Sequence, residues 1–192
     1  GSIKVMTWNT DNFGMVSKDR EESKKIILEY LKNCDADIIC LQETDIDRFT
    51  DSFKIHIDSI GYESDKFNGR SVLTKFHILD KDTIAYTSKI YPGCKGNGSK
   101  WYKLQMGNDT ILLINNHLES NHLEDKSKKE YLESIEDPEI DKIKESGQNL
   151  LSKLKMGVSY RGPQVDSLVQ FIDKHKDMPI VFCGDLNDTP IS

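Results

Sequence analysis

Two hydrophobic periods succeed one another along this chain, and their order predicts its elements. Residues 3–8 alternate apolar and polar and are rich in β-formers, which predicts a strand. Residues 20–31 place Ile26, Ile27, Tyr30 and Leu31 at helical spacing, with charges on the opposite face. Residues 37–42, apolar without a break from Ile38 to Leu41, predict a buried strand that ends in the polar trio Gln42, Glu43 and Thr44. Residues 47–60 return to helical spacing, with Phe49, Phe53, Ile57 and Ile60 along one side and Gly61 as a stop.

Shorter strands are predicted at residues 71–74, 83–86, 100–106 and 110–116, the last two joined by the hairpin chemistry of Gly107-Asn108-Asp109. Residues 91–99, with Pro92, Gly93, Gly96 and Gly98, read as a loop. In residues 120–154 Lys and Glu outnumber apolar positions, which predicts one or two solvent-facing helices interrupted near Asp137-Pro138. Residues 161–175 predict a further amphipathic helix carrying Val165, Leu168, Val169 and Ile172. Pro179 opens a last apolar strand at residues 180–183, which runs into Gly184-Asp185-Leu186-Asn187-Asp188. No repeat, low-complexity tract or linker divides the chain. Strands interspersed with helices, some joined by hairpins, predict a single layered α/β domain over residues 3–192.

Composition narrows the picture only a little. The 192 residues are 36% hydrophobic and 30% charged, as in an ordinary globular protein. A net charge of -6 gives no support to sequence-blind binding of long DNA by a broad basic surface, although a local groove can be basic in an acidic protein. The longest apolar stretches, such as residues 111–114, fall far short of the roughly 20 residues that span a bilayer, so a soluble protein is expected, cytoplasmic or exported. Gly1-Ser2 reads as a cloning remnant, and a native leader could have preceded it. Cys34, Cys40, Cys94 and Cys183 match no zinc spacing. Cys40 and Cys183 fall in apolar runs and read as buried thiols, whereas Cys94 sits in the Gly-rich loop.

Four polar clusters lie at or just beyond the ends of predicted strands: residues 9–12, Gln42-Glu43, Asn116-His117 and residues 185–187. Strand ends along one edge of a sheet can aim several side chains at one point. The carboxylates, carboxamides and imidazole gathered there suit a hard divalent ion and a phosphate. Magnesium takes one or two carboxylates and fills its remaining positions with water and substrate oxygens. Each cluster also has a plain reading. Asn9 can simply end a strand, Glu43 can cap a helix, Gly184-Asp185 can be a turn, and His117 can be a hydrogen-bonded structural histidine.

In order, Thr7-Trp8-Asn9, Leu41-Gln42-Glu43-Thr44, Asn116-His117-Leu118-Glu119-Ser120 and Gly184-Asp185-Leu186-Asn187-Asp188 resemble the motifs of the endonuclease/exonuclease/phosphatase superfamily. Ser71-Val72-Leu73-Thr74-Lys75-Phe76 resembles the strand between its second and third motifs. The resemblance implies a four-layered α/β sandwich, two packed mixed β-sheets flanked by helices, with the site at one edge. It also implies Glu43 as the principal Mg2+ ligand (Mn2+ being the alternative ion), with Asn9 beside it. His117 would contact the scissile phosphate, Asp185 would orient or activate water, and Asn187 would hold the phosphate or the metal-bound network. The implied reaction is in-line attack of water on a phosphoester, either a nucleic-acid end or a small phosphodiester. Arg161 with Gln164 resembles the Arg-x-x-Gln that opens the helix before the Gly-Asp motif, where arginine can reach phosphate; a solvent-facing helix start is the plain alternative. Trp101, beside Lys100, is a candidate substrate contact, with packing as its alternative.

The resemblance is incomplete. Family members continue to a terminal Asp-His pair, and none of His56, His77, His117, His122 or His175 sits in such a context. The expectation is therefore a sandwich lacking its C-terminal strands, as a fragment of a longer chain. The alternatives are completion by a second chain, or a non-catalytic binding protein on the same fold. His117-Leu118-Glu119-Ser120 resembles the branch that removes tyrosyl groups from DNA ends, and branches acting on abasic DNA, sphingomyelin or inositol phosphates stay open. Residues 121–154 are where substrate preference is expected to be set. No heptad pattern indicates an oligomeric state.

Overall fold

The computed structural model describes residues 2–15, 17–44, 47, 49–86, 97–120 and 140–188. The eight strands among them form two mixed sheets. The first has the order β1-β2-β4-β3: β1 (Val5–Asn9) runs parallel to β2 (Ile38–Gln42), and β4 (Arg70–Thr74) runs antiparallel to both β2 and β3 (Glu63–Phe67). The second has the order β5-β6-β7-β8. There β5 (His77–Ile84), β6 (Gly98–Met106) and β7 (Asp109–His117) are antiparallel, and β8 (Ile180–Asp185) runs parallel to β7. Among the described residues three helices longer than a single turn flank the sheets: α1 (Arg20–Asn33), α2 (Asp51–Ser59) and α3 (Ile140–Lys174).

Layering follows from which face each apolar side chain takes. Every residue of β2 is buried because both of its faces are covered. Ile39 and Leu41 pack with Ile27, Leu28 and Leu31 of α1 and with Phe53 and Ile57 of α2. Ile38 and Cys40 face the second sheet, meeting Tyr102, Leu104, Ile111 and Leu113. On that sheet's outer face Leu112 and Ile114 pack with Leu168 of α3. The result is helix, sheet, sheet, helix, the four layers expected. Among the described residues, no helix is long and apolar enough to cross a membrane.

Several elements depart from the pattern read in the sequence. Helix α1 starts as predicted, with Asp19 capping it through a bond from the Glu22 amide (3.0 Å), but Ile26 and Tyr30 point outward and Leu28 takes the buried stripe. Helix α2 starts later than predicted, because Thr50 caps it and accepts from the Phe53 amide (3.3 Å). Phe49 is buried ahead of that cap, edge-on to Phe53 at 4.9 Å, while Ile60 lies exposed beyond the last turn. The helix predicted at residues 161–175 is the second half of the single 35-residue α3, which runs through Pro163. Its buried face there is Arg161, Gln164 and Leu168, and Val165 and Val169 are exposed. Strand β3 has no apolar alternation and went unpredicted; as an edge strand it needs only one covered face, and the Asn68-Gly69 turn (φ 43° and 70°) folds it onto β4. Strand β5 begins at His77, well before the predicted residue 83. Gly98 and Ser99, read as loop, are the first residues of β6. The Asp137-Pro138 break, Cys94 and most of the Gly-rich loop fall outside the described residues.

Candidate active site

The parallel pairing of β1 with β2, and of β7 with β8, delivers four strand ends to one edge of the sandwich. Asn9 is opposite Gln42 in the first sheet, and His117 is opposite Asp185 in the second. The Asn9 amide lies between two carboxylates, donating from Nδ2 to Glu43 Oε1 (2.9 Å) and to Asp185 Oδ2 (2.8 Å). Asn9 Oδ1 accepts from the Asp11 amide (3.0 Å), which settles which end of the carboxamide is the donor. Asn9 therefore holds the two acids by donation, with its oxygen turned toward the Asp11 amide. His117 Nε2 is 3.7 Å from Glu43 Oε1 and 4.0 Å from Asp185 Oδ2.

His117 is buried, and that burial lowers its pKa below the ordinary histidine value. Asp185 and Glu43 pull the other way, and the charge of Arg70 adds to the lowering. Asp185 is held at both oxygens, since Oδ1 accepts from the Asn187 amide (2.8 Å). Asn187, at φ 52°, donates its side-chain amide to the Leu118 carbonyl (2.7 Å), and the Leu118 amide bonds back to the Asp185 carbonyl (2.9 Å). Beside these residues a cleft of about 380 Å³ is lined by Thr7, Trp8, Asn9, Gln42, Asp185 and Asp188, among others.

The profile of the Endonuclease/Exonuclease/phosphatase family matches residues 6–192. The chain belongs to this family. No curated protein matches the sequence. Solved structures with the same fold include the human Nocturnin catalytic domain with bound sulfate anion, 19% identical over 98% of this chain and 65% of that one, TM-score 0.66. ANGEL2, a 2′,3′-cyclic phosphatase, is 20% identical over 98% and 53% of the two chains, TM-score 0.62. A humanized D. rerio TDP2 carrying 14 mutations is 14% identical over 98% and 68%, TM-score 0.60. At these identities the likeness is one of fold, and this chain spans between 53% and 68% of those three chains.

In this member of the family, Arg161 lies under the chain that leaves His117, and Trp101 lies against α3. Arg161 is 6% exposed, and its guanidinium meets the Glu119 carbonyl (3.2 Å) and Asp188 (3.6 Å). Gln164, one turn on, accepts from the Glu119 amide (2.9 Å). The Arg-x-x-Gln pair thus braces the chain leaving His117, rather than starting a solvent-facing helix. Trp101 lies on the outer face of β6, because alternate residues there, Lys100 and Tyr102, point between the sheets. Its ring packs 5.9 Å from Phe171 and 6.5 Å from His175.

Of the other polar residues at this edge, Gln42 belongs to the Gln42-Glu43 cluster and Arg70 escaped sequence reasoning. Gln42 donates to Asn115 Oδ1 (2.8 Å) beneath the acids, bridging the sheets. Arg70 opens β4 at the same edge, 1% exposed and stacked 4.9 Å from Phe67. Only its position, straight after an Asn-Gly turn and opening a buried strand, sets it apart in the sequence. Gly184 is needed for a steric reason. A Cβ there would stand 2.1 Å from the carbonyl oxygen of Asn116 on β7.

Proposed function

We propose that this chain hydrolyses a phosphoester bond by in-line attack of water, using Mg2+ held by Glu43. The observation that carries the reading is the convergence of Glu43 and Asp185, 142 positions apart in the sequence, on one Asn9 amide with His117 within 4.0 Å of both. Two carboxylates drawn that close repel each other, and a divalent cation would relieve the repulsion. The donors at this edge, two carboxylates with an imidazole beside them, suit Mg2+, which takes one or two carboxylates and keeps several waters. Glu43 is the better ligand, because Asp185 already has a hydrogen bond at each oxygen.

When bound, the ion would polarise a phosphoryl oxygen and neutralise developing charge. Asp185, its direction set by Asn9 and Asn187, accepts a proton from the attacking water and aligns it. His117, beside Asp185 on the same sheet and across from Glu43, presents Nε2 toward the phosphoryl oxygens. Asn187 ties the Asp185 loop to β7, so that acid and imidazole move as one body. Family membership and the fold shared with ANGEL2, a 2′,3′-cyclic phosphatase, support the reaction class. For substrates, a nucleic-acid end and a small phosphodiester are the two to try.

The test is Mg2+-dependent hydrolysis of a generic phosphodiester, a phosphomonoester and a 5′-tyrosyl DNA end, with Mn2+ in parallel. Glu43→Ala and Asp185→Ala are expected to abolish turnover while keeping wild-type circular dichroism. Undiminished turnover in either variant would sink the mechanism.

A further inference from the structure

Glu43 has an unusual backbone: it is a non-glycine residue at φ 50°, immediately beyond the buried end of β2. Such a conformation costs energy and persists only where the surroundings over-determine it. The segment that over-determines it is the turn after Asn9. Asp11, Asn12 and Phe13 are themselves left-handed, at φ 48°, 48° and 66°, and Gly14 follows at 75°. Phe13, 2% exposed and 5.7 Å from the Phe49 ring, anchors this left-handed turn in the outer core. From the turn, the Asn12 amide donates to the Glu43 carbonyl (2.8 Å), the Thr10 hydroxyl donates to the same oxygen (3.2 Å), and the Thr10 amide donates to the Gln42 carbonyl (3.0 Å).

Thr10 is the centre of that arrangement. It is 3% exposed, and its hydroxyl also meets the hydroxyl of Thr44, which is fully buried. With Thr44 donating to Thr10, Thr10 donates to the Glu43 carbonyl; with Thr10 donating to Thr44, Thr44 donates to the Gln42 carbonyl (3.4 Å), and in both arrangements the hydroxyl pair holds the backbone that carries Glu43. Thr44 is fixed in turn from β4, through its amide to the Gly69 carbonyl (2.9 Å) and its carbonyl to the Ser71 hydroxyl (2.9 Å). The residues on either side of Glu43 are therefore pinned to β1 on one flank and β4 on the other. Its side chain is a third exposed.

We propose that Thr10 is a positioning residue for metal binding. Its hydroxyl, with the left-handed turn behind it, sets the direction in which Glu43 presents its carboxylate to a divalent cation. This rests on the reading of Glu43 as the Mg2+ ligand. A side chain that acts through the ligand's backbone changes affinity for the ion without contacting ion or substrate, and the loss on removing such support is about 10- to 100-fold.

The experiment titrates Mg2+ alone into wild type, Thr10→Val, Thr10→Ser and Glu43→Gln by calorimetry, and records the Mg2+-induced rise in Tm alongside the metal-free Tm. Wild type is expected to bind and Glu43→Gln to lose binding. Thr10→Val, which keeps the shape and removes the hydroxyl, is expected to bind at least about tenfold more weakly. Thr10→Ser is expected to recover most of the affinity. In turnover the Thr10→Val defect should shrink as Mg2+ is raised, with KM for the phosphoester unmoved. If Thr10→Val does not fold, Thr44→Val carries the same expectation from the other end of the hydroxyl pair. Thr10→Val binding Mg2+ as wild type does, even at a lower metal-free Tm, makes Thr10 purely structural and overturns this inference alone. Wild type that binds no Mg2+ overturns the inference and the metal reading of Glu43 together.

Discussion

Replacing Gly184 with alanine tests both the strand packing and its link to the site. Gly184 is at φ 132°, a conformation open to glycine and strained for any other residue. The added Cβ would sit 2.1 Å from the Asn116 carbonyl oxygen and 2.7 Å from its amide nitrogen. A carbon and a carbonyl oxygen come no closer than about 3.3 Å without cost. The two strands must therefore part by about an ångström, and the obstacle is backbone, which cannot rotate away. Overpacking costs about 1–3 kcal/mol and the forced conformation about 1–3 kcal/mol more, so a loss of about 2–6 kcal/mol is expected. Asp185 is the next residue and His117 its cross-strand partner, so the same displacement separates acid from imidazole; misplacement on that scale can cost about 100-fold in rate. Urea denaturation followed by circular dichroism measures the first effect, and turnover under conditions where the variant is folded measures the second. Gly107→Ala is the control, because φ is 61° there but no atom lies within 4 Å of the new Cβ. It should lose only about 1–2 kcal/mol. A Gly184→Ala protein within about 1 kcal/mol of wild type, or no worse than Gly107→Ala, would refute the steric argument.

Three further perturbations probe the core, the inter-sheet charges and Trp101. Phe53→Ala removes a ring that is 1% exposed and should cost about 3–5 kcal/mol in a denaturant titration. Asp65, on β3, meets Lys100 (2.6 Å), Lys81 and the Tyr102 hydroxyl (3.0 Å) from the second sheet. Burial alone would raise its pKa, but the bonds from Lys100 and Lys81 outweigh burial and hold it below the ordinary aspartate value of about 3.9. Its stabilising contribution is thus fully present above about pH 4 and is lost as pH falls through the lower folded value. Asp65→Asn should be less stable at pH 7 and show a flatter loss of Tm in acid, and an unchanged acid limb would count against the cluster. Trp101→Leu should lower Tm while leaving KM for the phosphoester unchanged, and a raised KM would return Trp101 to the substrate.

Buried strands and capped helices were legible in the sequence because their signals are local. The apolar run of β2, the Gly61 stop after α2 and the hairpin at Gly107-Asn108 each specify themselves within a few residues. The four motif clusters were legible too, since each marks the end of a strand that the local pattern also predicts. Beyond these, assignments depended on what a residue packs against. Ile26 and Leu28 are equally apolar, and only the angle at which α1 lies on the first sheet decides that Leu28 is buried. Residues 161–175 look like a separate helix until the turns before Pro163 prove continuous with them. Edge strand β3 has a polar sequence and is held by its pairing with β4. The local sequence named Asn9, Glu43, His117 and Asp185 as chemically suitable. That Asn9 donates to both acids, and that Thr10 and Arg70 lie behind them, was decided by two parallel strand pairs meeting at one edge. Hydrogen-bond direction and burial depend on neighbours distant in sequence, and the chain brings those neighbours together only when it folds.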